Sequence, residues 1–184
     1  MGRRRVAMAT AGPSGSLNEM RNDPIAERTP SRQVWGVTWR IETVRDHRLE
    51  DELTERLVEH NQQASEAVRR RFEPDHLKSR PVQAYAIDDA GELLGGCVGN
   101  TVDVWHWLTV DVMWVRAGDR GKGLGRQLLT AVEERARERG CRWAKLNTWE
   151  FQAPDFYARC GYVIYGRETD YPPGHVNHLM RKSL

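Results

Sequence analysis

From residue 34 onward the chain alternates between two kinds of apolar spacing. Val34 to Val44 is rich in β-branched and aromatic residues and predicts a first strand. Asp46 to Arg70 sets Leu49, Leu53, Leu57, Ala64, Ala67 and Val68 among charged residues, which predicts an apolar helical face broken near Asn61. Pro74 and Pro81 bracket a loop. Three strands follow, over Val82–Ile87, Glu92–Val102 and Trp105–Arg116, with turns at Asp88–Gly91 and near Asp103. That succession predicts an antiparallel meander. Leu124, Leu128, Leu129, Val132 and Ala136 then mark a strong helix, stopped by Gly140. Beyond it lie a strand over Trp143–Thr148, a short helix over Ala153–Arg159 and strands over Tyr162–Tyr165 and Asn177–Lys182. A meander followed by β-α-β-α-β predicts an α/β fold with a mixed, mostly antiparallel central sheet flanked by helices.

Residues 1–33 carry Arg3, Arg4 and Arg5, then Gly, Pro and Ser, with neither period sustained. They read as a disordered tail ahead of a single domain over 34–184. No signal peptide fits, because Gly12-Pro13 cuts the short apolar run after the arginines. Composition narrows the function classes. Lys plus Arg total 28 against 26 Asp plus Glu, a formal charge of +2, so nucleic acid is not the expected ligand. No apolar run reaches the roughly 20 residues of a membrane span. Cys97, Cys141 and Cys160 are odd in number and lack zinc-site spacing, which points to a reducing cytoplasm and no metal. The sheet edges would support a homodimer.

Chemistry concentrates where the long strand meets the strong helix. Gly118, Gly121, Gly123 and Gly125 fall within eight residues, and Arg120, Lys122 and Arg126 add positive charge. Amides at a helix start have no partner within the helix and sit at the positive end of its dipole. Glycines let that backbone approach a ligand closely. The combination suits a pyrophosphate. Two phosphate motifs fail on spacing: Lys122 is followed by Gly123 rather than Ser or Thr, and Arg126 stands where a dinucleotide fingerprint needs Gly.

Arg120, Gly123 and Gly125 do match the signature of the GNAT superfamily of acyl-CoA-dependent N-acyltransferases: Arg or Gln, two residues, Gly, one residue, Gly or Ala. Ala153-Pro154-Asp155-Phe156-Tyr157-Ala158-Arg159-Cys160-Gly161-Tyr162 also resembles a downstream segment of that family, and the similarity spans about residues 35–184. One departure is Glu150, which stands where the family often has Asn beside the cofactor; Asn147 or Gln152 would have to substitute.

The resemblance implies acetyl-CoA as cofactor and acetyl transfer to a primary amine by direct attack in a ternary complex. It implies that the diphosphate sits on Arg120, Gly121, Lys122, Gly123, Leu124, Gly125 and Arg126, and the pantetheine arm along Met113, Trp114 and Val115. Tyr157 stands on the family's acid position; alone, it reads equally as a packed aromatic. For the base, Asp111 is the first candidate, because period-2 alternation sets it on one face with Met113. Asp103 and His106 are alternatives. For the acceptor, Trp105 and Trp107 at the start of the long strand, with Trp35, Trp39, Trp149, Phe151 and Tyr171, supply aromatic faces. Asp103, Asp111, Glu150, Asp155 and Asp170 supply negative charge. That mixture suits a small cationic amine, a metabolite or antibiotic, held by Asp103, Trp105, Trp107 and Tyr171. The Tyr171–His175 loop would close over it. A protein N-terminal or lysine acetyltransferase and a non-catalytic acyl-CoA-binding module are the other readings.

Overall fold

The structure is a computed structural model. It describes residues 32–34, 37–78 and 80–184. The chain divides into two compact units, one ending at Ala64 and the other running Ser65–Leu184. In the first, β1 (Arg32–Val34) and β2 (Val37–Trp39) pair antiparallel, with Val34 opposite Val37. The expected strand over 34–44 is therefore two short ones, and residues 40–46 are not strand. The expected tail over 1–33 lies outside the described residues, save Arg32 and Gln33 in β1. Trp35 also lies outside them. α1 (His47–Ala64) is capped by Asp46, whose Oδ1 accepts the Arg48 and Leu49 amides at 2.9 and 3.2 Å.

The second unit opens with α2 (Glu66–Arg71), capped by Ser65 Oγ accepting the Val68 amide. The helix break thus falls at Ser65 rather than near Asn61, because a serine hydroxyl can replace a missing backbone acceptor. β3 (Arg80–Ile87), β4 (Leu93–Val102) and β5 (Trp107–Val115) form the meander. Then come α3 (Leu124–Glu138), β6 (Trp143–Trp149), α4 (Pro154–Arg159), β7 (Val163–Thr169) and β8 (Val176–Ser183). The sheet order is β3-β4-β5-β6-β8-β7, antiparallel except for β5 with β6. The expected class holds: mixed α/β, mostly antiparallel, with flanking helices.

α3 lies on the face of the sheet where odd-numbered β4 residues point. Its Leu128, Leu129, Val132 and Ala136 are buried with Val82, Cys97, Leu108 and Val110. Burying about 1.5–3 kcal/mol of apolar side chain at each large position anchors the helix there. Glu133 is buried on the same helix. Its carboxylate accepts the Tyr162 hydroxyl at 3.0 Å and Lys182 Nζ at 2.6 Å, so a charge in the core is paired on both oxygens. Among the described residues, no helix is long and apolar enough to cross a membrane.

Candidate active site

A short helical turn, Ala117–Asp119, leads from β5 into the glycine loop. Gly121 and Gly123 have φ of +76° and +87°, a region costly for other residues. Gly123 is the N-cap of α3 and offers no side chain to cap it. The first-turn amides thus lack a side-chain cap, and the space that a Cβ at Gly121 would enter is open. An uncapped N-terminus with open space beside its glycine loop fits a diphosphate.

Each of the loop's basic side chains also has a partner within the protein. Arg120 Nε donates to the Val115 carbonyl at 2.9 Å, Lys122 lies 3.5 Å from Asp119, and Arg126 donates to the Arg159 carbonyl at 3.3 Å. Asp119 also accepts Arg116 Nε at 2.6 Å, and that contact holds its carboxyl below the ordinary range. Asp119, which composition alone did not single out, thus pairs with both Arg116 and Lys122.

The second element is a gap in the sheet. β5 and β6 are paired only over Trp107–Thr109 and Trp143–Lys145. From Val110 onward β5 pairs with β4 alone, and the two parallel strands part. Met113 lies partly buried on the α3 face. A Cβ on Gly125 would sit 3.4 Å from Met113 Cε and 3.5 Å from the Phe156 ring. β5, the glycine loop and α4 therefore converge at the parted end, and the β6-facing backbone edge of Met113, Trp114 and Val115 borders the gap.

Tyr157 is the buried residue of α4. Its ring meets Phe156 and Tyr162 edge-on, with centroids 5.1 and 5.9 Å away. Burial pushes its phenol up to about 12, so it holds its proton at neutral pH and is available there as an acid rather than a base.

Several expectations about the acceptor side need correction. Asp111 and Met113 do not share a face. Val112 faces Val98 and Val110 faces Gly99, so Asp111 is the extra residue of a β-bulge. Asp111 and Val112 are both exposed, while Met113 points into the core. Asp111 instead accepts Asn100 Nδ2 at 2.6 Å.

Trp105 and Trp107 do not share a strand face either. Trp105 lies in a helical turn, Asp103–Trp105, and donates its indole N–H to the Ala67 carbonyl at 3.2 Å. His106 follows with φ +61°, and Trp107 then stacks on Trp143 at 5.8 Å. Asp103 pairs with Arg80, and His106 Nδ1 contacts the Gly140 carbonyl at 2.8 Å. All four sit at the start of β5, the end away from the glycine loop. Tyr171 precedes β8, whose start pairs with the end of β6, so it lies at the opposite end of the sheet. Asp103, Trp105 and Trp107 are not brought together with Tyr171.

Asn147 Nδ2 donates to Asn177 at 3.4 Å, and Asn177 donates to Glu168 at 2.7 Å. Gln152 Oε1 accepts the Trp149 amide at 3.1 Å and the Thr148 hydroxyl at 3.2 Å, which closes the turn into α4. Glu150, the departure from the family pattern, faces His175: Oε1 lies 2.6 Å from His175 Nδ1 and Oε2 accepts the Val176 amide at 2.8 Å. Neither Glu168 nor the Glu150–His175 pair was apparent from spacing.

Residues 42–162 match the Acetyltransferase (GNAT) family. The blasticidin-S acetyltransferase of Streptomyces morookaense is 44% identical over 133 residues, which are 70% of this chain and 96% of that protein. An acetyltransferase from Bacillus cereus ATCC 14579 shares the fold with a TM-score of 0.62 at 31% identity, over 78% of this chain and 98% of that one. Nourseothricin acetyltransferase aligns with a TM-score of 0.51 at 29% identity, over 56% of this chain and 65% of that one. With its uncapped glycine loop and parted strands, this chain belongs to the GNAT family and is an acetyltransferase that uses acetyl-CoA.

Proposed function

We propose that the protein acetylates a primary amine on a small cationic antibiotic. The observation that carries this reading is the 44% identity to blasticidin-S acetyltransferase across nearly all of that protein. The likeness to nourseothricin acetyltransferase supports the same class. Exposed aromatic rings and carboxylates near the parted strands suit a cation better than an acidic or apolar acceptor.

Acetyl-CoA supplies an activated acyl group as a thioester. The amides of residues 121–126 receive its diphosphate, with Arg120 bracing the loop from behind. The edge of Met113, Trp114 and Val115, apart from the Val115 carbonyl that Arg120 holds, pairs with the amide-bearing arm. Asn147 and Gln152 shape the facing wall through their hydrogen bonds. Tyr157 gives its proton to the departing sulfur. Asp111, steadied by Asn100, holds the positive charge of the acceptor. Three free thiols, two of them buried, agree with a cytoplasmic setting. Either outer strand, β3 or β7, offers an edge on which a homodimer could form.

The test is release of free thiol from acetyl-CoA with blasticidin S, nourseothricin and amine-terminated peptides as acceptors. Turnover on at least one antibiotic and none on peptides is expected. Tyr157→Phe should lower kcat about 100-fold while acetyl-CoA still binds. Turnover on peptides alone would establish a protein acetyltransferase, and tight acetyl-CoA binding without any turnover would establish a binding module.

A further inference from the structure

We propose that His175, oriented by Glu150, accepts the proton of the attacking amine. This rests on the acetyl-transfer reading above and assigns it a catalytic residue. Glu150 follows β6 directly, on the rim of the parted strands. Its amide donates to the Val176 carbonyl at 3.0 Å while its Oε2 accepts the Val176 amide at 2.8 Å. The carboxylate is thereby fixed in place. Its other oxygen meets His175 Nδ1 at 2.6 Å, and this contact keeps the carboxyl ionised below its ordinary range.

His175 is held from its other sides as well. Its amide donates to the Pro172 carbonyl at 2.9 Å, and its carbonyl accepts the Tyr171 amide at 3.1 Å. Asp170 Oδ1 tightens the same loop by accepting the Gly174 amide at 2.7 Å. The Phe151 ring meets the imidazole edge-on at 4.9 Å. With Nδ1–H committed to the carboxylate, Nε2 carries the lone pair. Its side chain is 44% exposed, so that lone pair is within reach of a ligand. A carboxylate behind an imidazole fixes the tautomer and stabilises the imidazolium that forms.

Position supports the role. The turn closed by Gln152 joins Glu150 to α4, so Glu150 and Tyr157 stand at the two ends of one eight-residue segment. The other candidates are occupied elsewhere. His106 binds Gly140 at the far end of β5, Asp103 is paired with Arg80, and Asp111 receives Asn100.

In the step, the amine nitrogen bonds to the acyl carbon and gives one proton to His175 Nε2. The carbon–sulfur bond breaks with its electron pair on sulfur, which takes the Tyr157 proton. Water then carries the imidazolium proton to the Tyr157 phenolate. One N–H and one C–S bond are lost, one C–N and one S–H are gained, and no outside reagent is needed.

The experiment compares wild type with His175→Gln, His175→Ala and Glu150→Gln, using acetyl-CoA and whichever antibiotic wild type acetylates. The His175 variants should lose about 100-fold in kcat, and Glu150→Gln about 10-fold by the same measure of a mis-set base. The Km for acetyl-CoA and its calorimetric affinity should stay unchanged, which also certifies folding. The acidic limb of the pH–rate profile should vanish in His175→Gln, and added imidazole should restore His175→Ala. In the wild-type complex with coenzyme A, antibiotic binding should move the His175 ring signals in NMR spectra. Wild-type kcat and an unchanged pH profile in both His175 variants would overturn the proposal while leaving acetyl transfer intact. A wild type inactive on every amine would overturn the acetyl-transfer reading, and this assignment with it.

Discussion

Tyr157 and the buried thiols share one electrostatic condition. Burial lifts Tyr157 from 10.0 to about 12, Cys97 from 9.0 to about 12 and Cys141 from 9.0 to about 11; Tyr162 moves upward too, through burial and its contact with Glu133. The folded chain therefore keeps protons that the unfolded chain has already released. Where the native state binds more protons, stability falls as pH rises. Their contribution is complete below about pH 9 and declines from there to about pH 12. Urea midpoints should be flat from pH 7 to 9 and drop above that, with a shallower drop in Cys97→Ala. A midpoint rising with pH would contradict the burial described. At this scale the glycine loop was legible in the sequence, because a left-handed backbone and an uncapped helix start are properties of neighbouring residues. The Glu150–His175 pair was not legible, because the two residues lie 25 positions apart and meet only through the edge of β8.

Among the elements, α3 was the most readable, since five apolar positions at helical spacing declare it without outside help. β5 was the least readable. Its start slipped from Trp105 to Trp107 because residues 103–105 form a helical turn, and its alternation broke at Asp111. A bulge needs room on the partner strand, and Gly99 provides it. A Cβ there would sit 2.3 Å from the Thr109 carbonyl oxygen, a distance that no packed side chain tolerates. Gly99→Ala must push β4 and β5 apart and should destabilise the protein by about 2 kcal/mol. A lowered urea midpoint with an unchanged slope would report this; a change under about 0.5 kcal/mol would show that the strands yield without cost.

For the whole second unit, the class of fold followed from the order of periods, but the function depends on where pairing ceases. Six strands form one sheet, yet β5 and β6 hold together over three residue pairs and no more. Nothing in the local sequence of either strand marks that point, because parallel pairing is decided by distant partners rather than by neighbours. Backbone amides left unpaired cost free energy wherever water is also kept out. The parted seam leaves its backbone groups to water, and under the proposed function the cosubstrate's own amides take that water's place. Deuterium uptake should be fast at alternate amides between Val110 and Val115 in the empty protein and slow once coenzyme A is added. The molecule would then complete its own sheet only while it works, with a borrowed strand.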